Sequence, residues 1–236
     1  MDYGAILDKV ENAIEGKAHL GKLEERNSNP FKILIATILS ARTRDIMTEK
    51  ITERLFKKYS TPKQIAGANL DVVEKLIKSI GFYKIKAKRI IEVSGIIWKQ
   101  YNGIVPQNFK ELINLPGVGP KTANCVLVFA FHIPAITVDT HIHRIPNRLG
   151  WIRTKRPEQS EIALKKLLPK EHWLRFSRLF VKFGQQICNP SHSKCNICPI
   201  ENICPKDFTM EDEMREKRKK AEKRKTIRKR EKMKIN

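Results

Sequence analysis

A lysine that could act as a nucleophile follows a glycine-rich turn in the segment LPGVGPKTA, residues 115–123. Pro120 suits the first position of a helix, so we expect Lys121 in the first helical turn. The helix dipole disfavours a positive charge there, and partial burial would favour the neutral amine further. A neutral lysine amine can form a Schiff base with an electrophilic carbon. From these residues alone, an exposed lysine or a clamp for a phosphate is an open alternative.

The same turn has the composition of an anion-binding hairpin. Gly117 and Gly119 flank Val118 between two helical stretches, FKELINL and TANCVLVFAF. Glycine lets the backbone approach a ligand closely, and amides at a helix start attract anions such as a DNA phosphate. Turns of this kind also serve only to connect two helices, so the motif alone indicates a phosphate site without requiring one.

A second group with chemical potential lies in the segment VDTHIHR, residues 138–144. An aspartate before a helical pattern commonly caps the helix, and Asp139 could have only that role. It could also face a developing sugar oxocarbenium ion, because carboxylates stabilise that charge during glycoside cleavage. His141 and His143 are two positions apart, so they point in different directions on a helix. We interpret both histidines as structural.

Four of the five cysteines lie close together, in the pattern Cys188-x6-Cys195-x2-Cys198-x5-Cys204. Clustered cysteines in a chain without an export signal indicate a metal site rather than disulfide bonds. Four thiolates bind zinc readily, and they also bind a four-iron four-sulfur cluster. The spacing does not decide between the two. Cys125 lies inside an apolar helical stretch, and we expect it to pack in the core.

Helices are expected to position these groups. The segment FKILIATIL, residues 31–39, is apolar nearly all round, which predicts a buried helix. Apolar residues recur at helical spacing in three further sets: Met47, Ile51, Leu55 and Tyr59; Val72, Leu76 and Ile80; and Ile90, Val93 and Ile97. Only residues 136–138 suggest extended structure, and they are too few to found a sheet. The sequence therefore predicts an all-α fold.

Composition and charge indicate a soluble protein with a polyanionic partner. Apolar residues make up 41% of the chain, and no apolar run approaches the roughly 20 residues of a membrane span. The N-terminus lacks the apolar region of an export signal, which predicts a cytoplasmic, nucleoid-associated protein without membrane contact. The formal net charge is +22. Such an excess attracts nucleic acid, although a charged surface adapted to solubility or heat is the simpler alternative.

Part of this charge lies in a C-terminal tail, residues 209–236. From Arg215 to Lys234 there are 13 lysines and arginines against three glutamates, so this segment contributes +10 and the rest of the chain +12. The tail has few apolar residues, and we expect it to be disordered or a lone helix. It is either a non-specific arm for DNA or a merely solubilising segment.

The motifs LPGVGPKTAN, VDTH and C-x6-C-x2-C-x5-C, in this order, resemble the endonuclease III family of helix-hairpin-helix DNA glycosylases. The resemblance extends from about Asn29 to Pro205 and includes LSARTRD and IGFYKIKA. It implies a bifunctional DNA glycosylase and apurinic/apyrimidinic (AP) lyase that removes oxidised pyrimidines from double-stranded DNA. Lys121 would be the nucleophile and Asp139 the catalytic carboxylate. The amides of residues 117–119 would bind a phosphate.

The resemblance also implies a cofactor and an architecture. Cys188, Cys195, Cys198 and Cys204 would hold a four-iron four-sulfur cluster, which shapes a DNA-binding loop. Lys194 and Lys206, near these cysteines, are candidate phosphate contacts. DNA would bind to a monomer in a cleft between two helical domains. The first domain would comprise residues 21–132, and the second would join residues 1–20 to residues 133–208.

Two positions depart from the family's common pattern. Arg42 stands where members often have glutamine, and Phe82 where they often have leucine. Both look like side chains that fill the gap left by a flipped nucleotide, so they bear on substrate range. Two other functions are weighed against the bifunctional enzyme. One is a monofunctional mismatch glycosylase, which generally lacks lysine at the position of Lys121. The other is a non-enzymatic DNA-binding iron–sulfur protein.

Overall fold

The computed structural model of the chain describes residues 1–16, 29–43 and 45–209. Within these ranges the regular structure is helical and contains no strand, so the predicted all-α fold is confirmed. The α-helices are α1 (Tyr3–Ala13), α2 (Pro30–Ser40), α3 (Asp45–Lys58), α4 (Pro62–Ala66), α5 (Leu70–Ile77), α6 (Tyr83–Gln100), α7 (Phe109–Ile113), α8 (Pro120–Ala130), α9 (Thr140–Arg148), α10 (Pro157–Leu167) and α11 (Lys170–Gln186). Two 3-10 helices, Cys195–Ile197 and Glu201–Ile203, follow. Apart from residue 209, the predicted basic tail lies outside the described residues.

Helix α2 is the buried helix that its apolar sequence predicts. Asn29 caps it by accepting a hydrogen bond from the amide of Phe31 at 2.7 Å, and Pro30 occupies the first position. Every residue from Ile33 to Leu39 is buried. The helix packs against α3, α6 and α8, so apolar contacts surround it on several sides. Its C-terminal end, Ser40, is thereby fixed at the pocket that Lys121 and Asp139 also line.

Buried apolar side chains form two clusters. The first extends from Phe31 to Ala135 and is built mainly from α2 to α8. The second joins α1 to residues between Ile136 and Ile200. Helix α1 packs against α11, so the N-terminal segment contributes to the second cluster rather than to the first. Within the described ranges, no helix is long and apolar enough to cross a membrane.

Candidate active site and cysteine loop

An open pocket collects polar groups from both hydrophobic clusters. It has an empty volume of about 660 Å³, part of which is open solvent. Helices α2 and α8 and the start of α3 form one wall, and the segment before α9 together with α11 forms the other. The polar side chains that line it are Thr37, Ser40, Asp45, Lys121, Thr122, Thr137 and Asp139. The pocket therefore brings the predicted nucleophile and the predicted carboxylate into one space.

Lys121 occupies the first turn of α8, as Pro120 at its start predicts. The residue is exposed, so the partial burial that would favour the neutral amine is not present in the described structure. One turn further on, Cys125 is buried, and burial raises the pKa of its thiol to about 11. Cys125 is therefore a packed thiol, as predicted, and not a competing nucleophile.

Asp139 is the N-terminal cap of α9, which is the simpler of the two roles that its sequence position predicts. Its Oδ1 accepts hydrogen bonds from the amides of His141 at 2.9 Å and Ile142 at 2.8 Å. The same residue lines the pocket, so capping and facing the pocket are compatible. The amides and the positive end of the helix dipole favour the negative charge of this carboxylate and fix its direction.

The two histidines of the VDTHIHR segment have structural partners. His141 packs so closely on Gly184 that a side chain at that position would overlap its ring. Burial lowers the pKa of His141, and its Nδ1 lies 3.1 Å from Nη2 of Arg144. The Nδ1 of His143 lies 2.6 Å from the hydroxyl of Ser160. Their different directions on α9 agree with the prediction that they do not form a metal site.

In the hairpin before α8, one of the three amides predicted to bind a phosphate, that of Val118, is used within the turn itself. Gly117 has φ +77°, and a Cβ there would lie 2.8 Å from Cδ of Arg89, so glycine is favoured at this position. Val118 is buried, and its amide donates to the carbonyl of Leu115 at 3.0 Å. That amide is therefore engaged within the turn. A Cβ on Gly119 would meet open space, which leaves access to the start of α8.

Arg42 and Phe82, which the sequence offers as separate residues, lie in contact. The guanidinium carbon of Arg42 is 5.8 Å from the ring centroid of Phe82, a distance typical of a cation–π interaction. Both residues have left-handed backbone conformations, with φ of 54° and 58°. Phe82 is 58% exposed. An exposed aromatic ring held beside a cation forms a protruding pair next to the pocket wall of α2.

Sequence patterns did not reveal two further polar residues at this site. Lys86 is buried and donates to three oxygens in residues 39–43. Asp45 lines the pocket, and its Oδ2 accepts a hydrogen bond of 2.8 Å from Gln185 of α11. This bond joins the two walls. A lysine among lysines and an acid in a first helical turn carry no distinctive signal in one sequence.

The four clustered cysteines line a second pocket, which has about 430 Å³ of empty volume. Arg148 holds the loop that carries them. Its Nη1 donates to the carbonyl of Asn189 at 2.7 Å, to Oγ of Ser193 at 2.8 Å and to Sγ of Cys188 at 3.3 Å. Arg144 adds a bond of 2.7 Å to the carbonyl of Cys188. The loop is thus fastened to α9 by two buried guanidinium groups.

The four thiols share one pocket, so the residues present can serve as a common donor set. Four cysteine thiolates are a donor set for zinc and equally for an iron–sulfur cluster. Within the described residues, no group of three or more metal-binding side chains is already arranged around one ion position. The cysteines therefore fit a four-cysteine metal group, and their geometry does not choose between the two.

The two lysines predicted near the cysteines differ in their surroundings. Lys194 is exposed at the edge of the cysteine pocket. Lys206 lies 2.7 Å from a carboxylate oxygen of Glu201, which raises the pKa of this lysine. To contact a DNA phosphate, Lys206 would have to break its ion pair with Glu201. For Lys194 the structure describes no ion pair with a carboxylate.

Comparisons with known proteins agree on one family. The family model described as HhH-GPD superfamily base excision DNA repair protein matches residues 35–170. Endonuclease III of Thermotoga maritima is 49% identical over 177 residues, which cover 75% of this chain and 83% of that protein. The structure of a trapped endonuclease III–DNA covalent intermediate matches with a TM-score of 0.71 at 40% identity, covering 79% of this chain and 86% of that one. A thermostable thymine-DNA glycosylase matches with a TM-score of 0.67 at 30% identity, covering 75% and 84%.

Proposed function

Because the chain belongs to the endonuclease III family of base excision DNA repair proteins, we propose that Lys121 and Asp139 form its catalytic centre. The chain is a DNA glycosylase and AP lyase. The observation that carries the assignment of residues is the shared pocket, in which an amine from α8 and a carboxylate before α9 face the same space. Their supports come from different hydrophobic clusters, so the pocket exists only when both are assembled.

The proposed reaction begins when the neutral amine of Lys121 attacks C1′ of a flipped nucleoside. The bond from C1′ to the base breaks, and its electron pair leaves with the base. The charge of Asp139 stabilises the positive charge that develops on the sugar. The sugar ring opens to a Schiff base on Lys121, C2′ loses a proton, and the 3′-phosphate leaves by β-elimination.

Oxidised pyrimidines are the proposed substrates, and Arg42 and Phe82 the proposed wedge. Flipping a base costs a few kcal/mol of unstacking, least for a base that is already damaged or unpaired. An exposed ring with a guanidinium beside it can replace the lost stacking and attract the DNA backbone. The first-turn amides of α8 and the open face of Gly119 would bind a nearby phosphate.

A four-iron four-sulfur cluster is the proposed cofactor of the cysteine loop. Cys188, Cys195, Cys198 and Cys204 would hold it, and it would supply a structural link rather than a reacting group. Lys194 would then contact a DNA phosphate, and Lys206 would do so after releasing Glu201. The purified protein should contain iron and sulfide. Stoichiometric zinc without iron would contradict the cluster.

The two hydrophobic clusters are the proposed domains, with the DNA between them. Predicted boundaries near residues 20 and 132 place α1 with the C-terminal half, in accord with its packing on α11. A monomer suffices for the reaction, because one chain supplies both catalytic groups. Residues 17–28, which contain the first boundary, lie outside the described residues.

Borohydride trapping tests the proposal. The wild type should form a covalent adduct with an abasic duplex, because borohydride reduces the Schiff base. Lys121→Gln should bind the duplex but form no adduct, whereas Lys9→Gln, a change of an exposed lysine on α1, should trap like the wild type. Trapping at wild-type level by Lys121→Gln would refute the role of this lysine.

Two alternative functions give different results in the same assay. A monofunctional mismatch glycosylase, which the likeness to a thymine-DNA glycosylase favours, would release a base without an adduct. A non-enzymatic DNA-binding protein would do neither. The presence of Lys121 in the pocket argues against both alternatives.

A further inference from the structure

The proposed wedge residues rest on two strained turns. Arg42 follows the end of α2, and Phe82 directly precedes α6, and each has a positive φ without being glycine. A left-handed conformation is unfavourable for a residue with a side chain, because its Cβ crowds the neighbouring carbonyl. Such conformations persist when surrounding contacts fix them, and they concentrate at functional sites. A structural element that fixes both turns is therefore expected nearby.

Lys86 has the contacts required for this task. Its side chain is 5% exposed, and Nζ donates to the carbonyl of Leu39 at 2.9 Å, to the carbonyl of Ala41 at 2.7 Å and to the hydroxyl of Thr43 at 2.9 Å. An ammonium has three N–H groups, and here each finds an oxygen. These acceptors bracket Arg42 in the sequence. The strained residue is thus held on both sides by one cation.

The same lysine is joined to the second turn through its backbone. The amide of Lys86 donates to the carbonyl of Phe82 at 3.0 Å, in the first turn of α6. This is the first intrahelical hydrogen bond of α6, so it places Lys86 one helical turn after Phe82 whatever its side chain. The side chain of Lys86 therefore joins the turn of Arg42 to the helix that begins after Phe82, although Arg42 and Phe82 are 40 positions apart in sequence. Arg89, on the same helix, packs on Gly117 of the hairpin. Helix α6 thereby contacts both the turn of Arg42, through Lys86, and the hairpin of the proposed phosphate site, through Arg89.

We propose that Lys86 is a positioning residue that holds Arg42 and Phe82 together as one preorganised wedge. This inference rests on the proposed function, in which these two residues fill the gap of a flipped nucleotide. A wedge that is ordered before DNA binds loses less side-chain entropy when it enters the base stack. Lys86 is buried and does not line the pocket that contains Lys121 and Asp139, so its effect should appear where a base pair must be opened.

A merely structural role for Lys86 would have a different signature. If this lysine only satisfied the last carbonyls of α2, its loss would lower stability and affect all substrates alike. If it positions the wedge, its loss should slow excision of a paired lesion more than cleavage of an abasic site. The ratio of these two rates, measured in one preparation, separates the two roles because a fraction of unfolded protein affects both equally.

The experiment compares Lys86→Met with Lys88→Met, which changes an exposed lysine two positions further along α6. Single-turnover rates are measured with saturating enzyme on a thymine glycol paired with adenine and on an abasic duplex. We expect Lys86→Met to lower the ratio of the paired-lesion rate to the abasic-site rate about tenfold. Misplacing a positioned group has effects of this order or larger. Lys88→Met should leave the ratio unchanged. A wild-type ratio in folded Lys86→Met would overturn the proposal.

A milder variant covers the case in which Lys86→Met does not fold. Thr43→Val keeps the shape of a half-buried side chain and removes one of the three acceptors, and it should lower the ratio in the same direction. A wild-type ratio in Thr43→Val, when Lys86→Met is unfolded, would count against the proposal.

Phe82→Ala distinguishes failure of the inference from failure of the proposed function. If Phe82→Ala lowers the ratio and Lys86→Met does not, the wedge exists and Lys86 does not position it. If neither lowers the ratio, the wedge assignment itself is wrong. If Lys86 acts through Phe82, the double variant should be little worse than Phe82→Ala alone, because residues that work as one unit are not additive.

Discussion

The two hydrophobic clusters each fasten a proposed DNA-contacting segment with a buried cation, but they use different cations. In the first cluster Lys86 reaches three oxygens within residues 39–43. In the second, Arg148 reaches the carbonyls of Asn189 and Pro190 and the hydroxyl of Ser193. Lysine is a point charge with three donors, whereas arginine is a rigid fork with five. A tight turn after a helix needs the former, and a longer loop with little regular structure needs the latter.

The comparison extends to the catalytic groups. Lys121 belongs to the helix of a tight hairpin in the first cluster, and Asp139 is fixed by the start of α9 in the second. Lys121, the proposed nucleophile, is exposed and its stem has several rotatable bonds, whereas Asp139 is half-buried and held by two amides. Within this proposed pair, the first cluster thus supplies an adaptable amine, and the second supplies a fixed carboxylate.

The largest effect is expected from Asp139→Asn. Asparagine caps a helix as well as aspartate does, so stability should be nearly retained. Loss of the fixed charge should slow base excision by about 100- to 1000-fold, as for the loss of one group that stabilises the transition state. Single-turnover rates measure the loss in base excision, and DNA affinity measured on the same variant shows whether binding is retained. A loss of affinity with an unchanged rate would assign Asp139 to binding instead.

Combining this change with Lys121→Gln tests whether the two clusters act as one catalytic unit. The double variant should be little worse than the poorer single variant, because groups of one unit lose their effects together. Multiplicative losses would show that the amine and the carboxylate act in independent steps.

Arg148→Met should produce the next largest effect, on stability rather than on chemistry. Several carbonyl and hydroxyl oxygens would lose a buried donor, at a cost on the order of 3 kcal/mol. Denaturant unfolding measures this loss, and iron content should fall with it. Arg153→Met, which changes an exposed residue, is the matched control. Lys86→Met should cost less, because its turn remains attached to two helices, and an equal cost would contradict the comparison.

The hairpin offers a matched pair of glycines with smaller expected effects. Gly117→Ala forces a side chain into a left-handed conformation and against Arg89, and it should lower the free energy of unfolding by about 1–2 kcal/mol. Gly119→Ala meets open space, and its loss of stability should stay below about 1 kcal/mol. Its methyl group would lie where a phosphate is proposed, so DNA affinity should fall more than in Gly117→Ala. The reverse order would place the phosphate elsewhere.

Sequence patterns predict the helices well where apolar content is extreme and less well where it is periodic. The apolar segment of residues 31–39 gives the buried helix α2, because no face of it can be exposed cheaply. In α5 the pattern Val72, Leu76 and Ile80 identifies a helix without naming all of its buried residues. Val73 and Ile77 are fully buried, Leu76 packs partly buried against the same cluster, and Ile80 is buried beyond the end of the helix. Neighbouring helices, not spacing alone, choose which apolar side chains face inward.

The site shows the same division. Motifs predicted that Lys121 and Asp139 lie at helix starts, because such starts are encoded locally by Pro120 and by the capping aspartate. That both residues line one pocket depends on packing between distant segments, which the motifs do not encode. The engagement of the Val118 amide within the turn depends on the turn type, which two glycines do not specify. Lys86 and Arg148 act across 43–47 and 40–45 positions of sequence, and no local pattern distinguishes a buried cation from an exposed one.

The smallest effect on chemistry is expected from removing the basic C-terminal tail, which belongs to neither hydrophobic cluster. Deleting residues 211–236 removes 13 lysines and arginines and six acidic residues, so the net charge falls by 7 from +22. If this segment is an electrostatic arm, binding should weaken alike for all DNA sequences, and the dependence of affinity on salt should become shallower, because fewer counterions are released. The single-turnover rate and the ratio of paired to abasic substrate should stay at the wild-type values, since Lys121, Asp139 and the wedge remain. A titration at several salt concentrations measures the slope, and replacing the tail with a neutral segment of equal length is the control for chain length. An unchanged slope would mean that the tail does not touch DNA, and a changed substrate ratio would mean that it takes part in positioning after all.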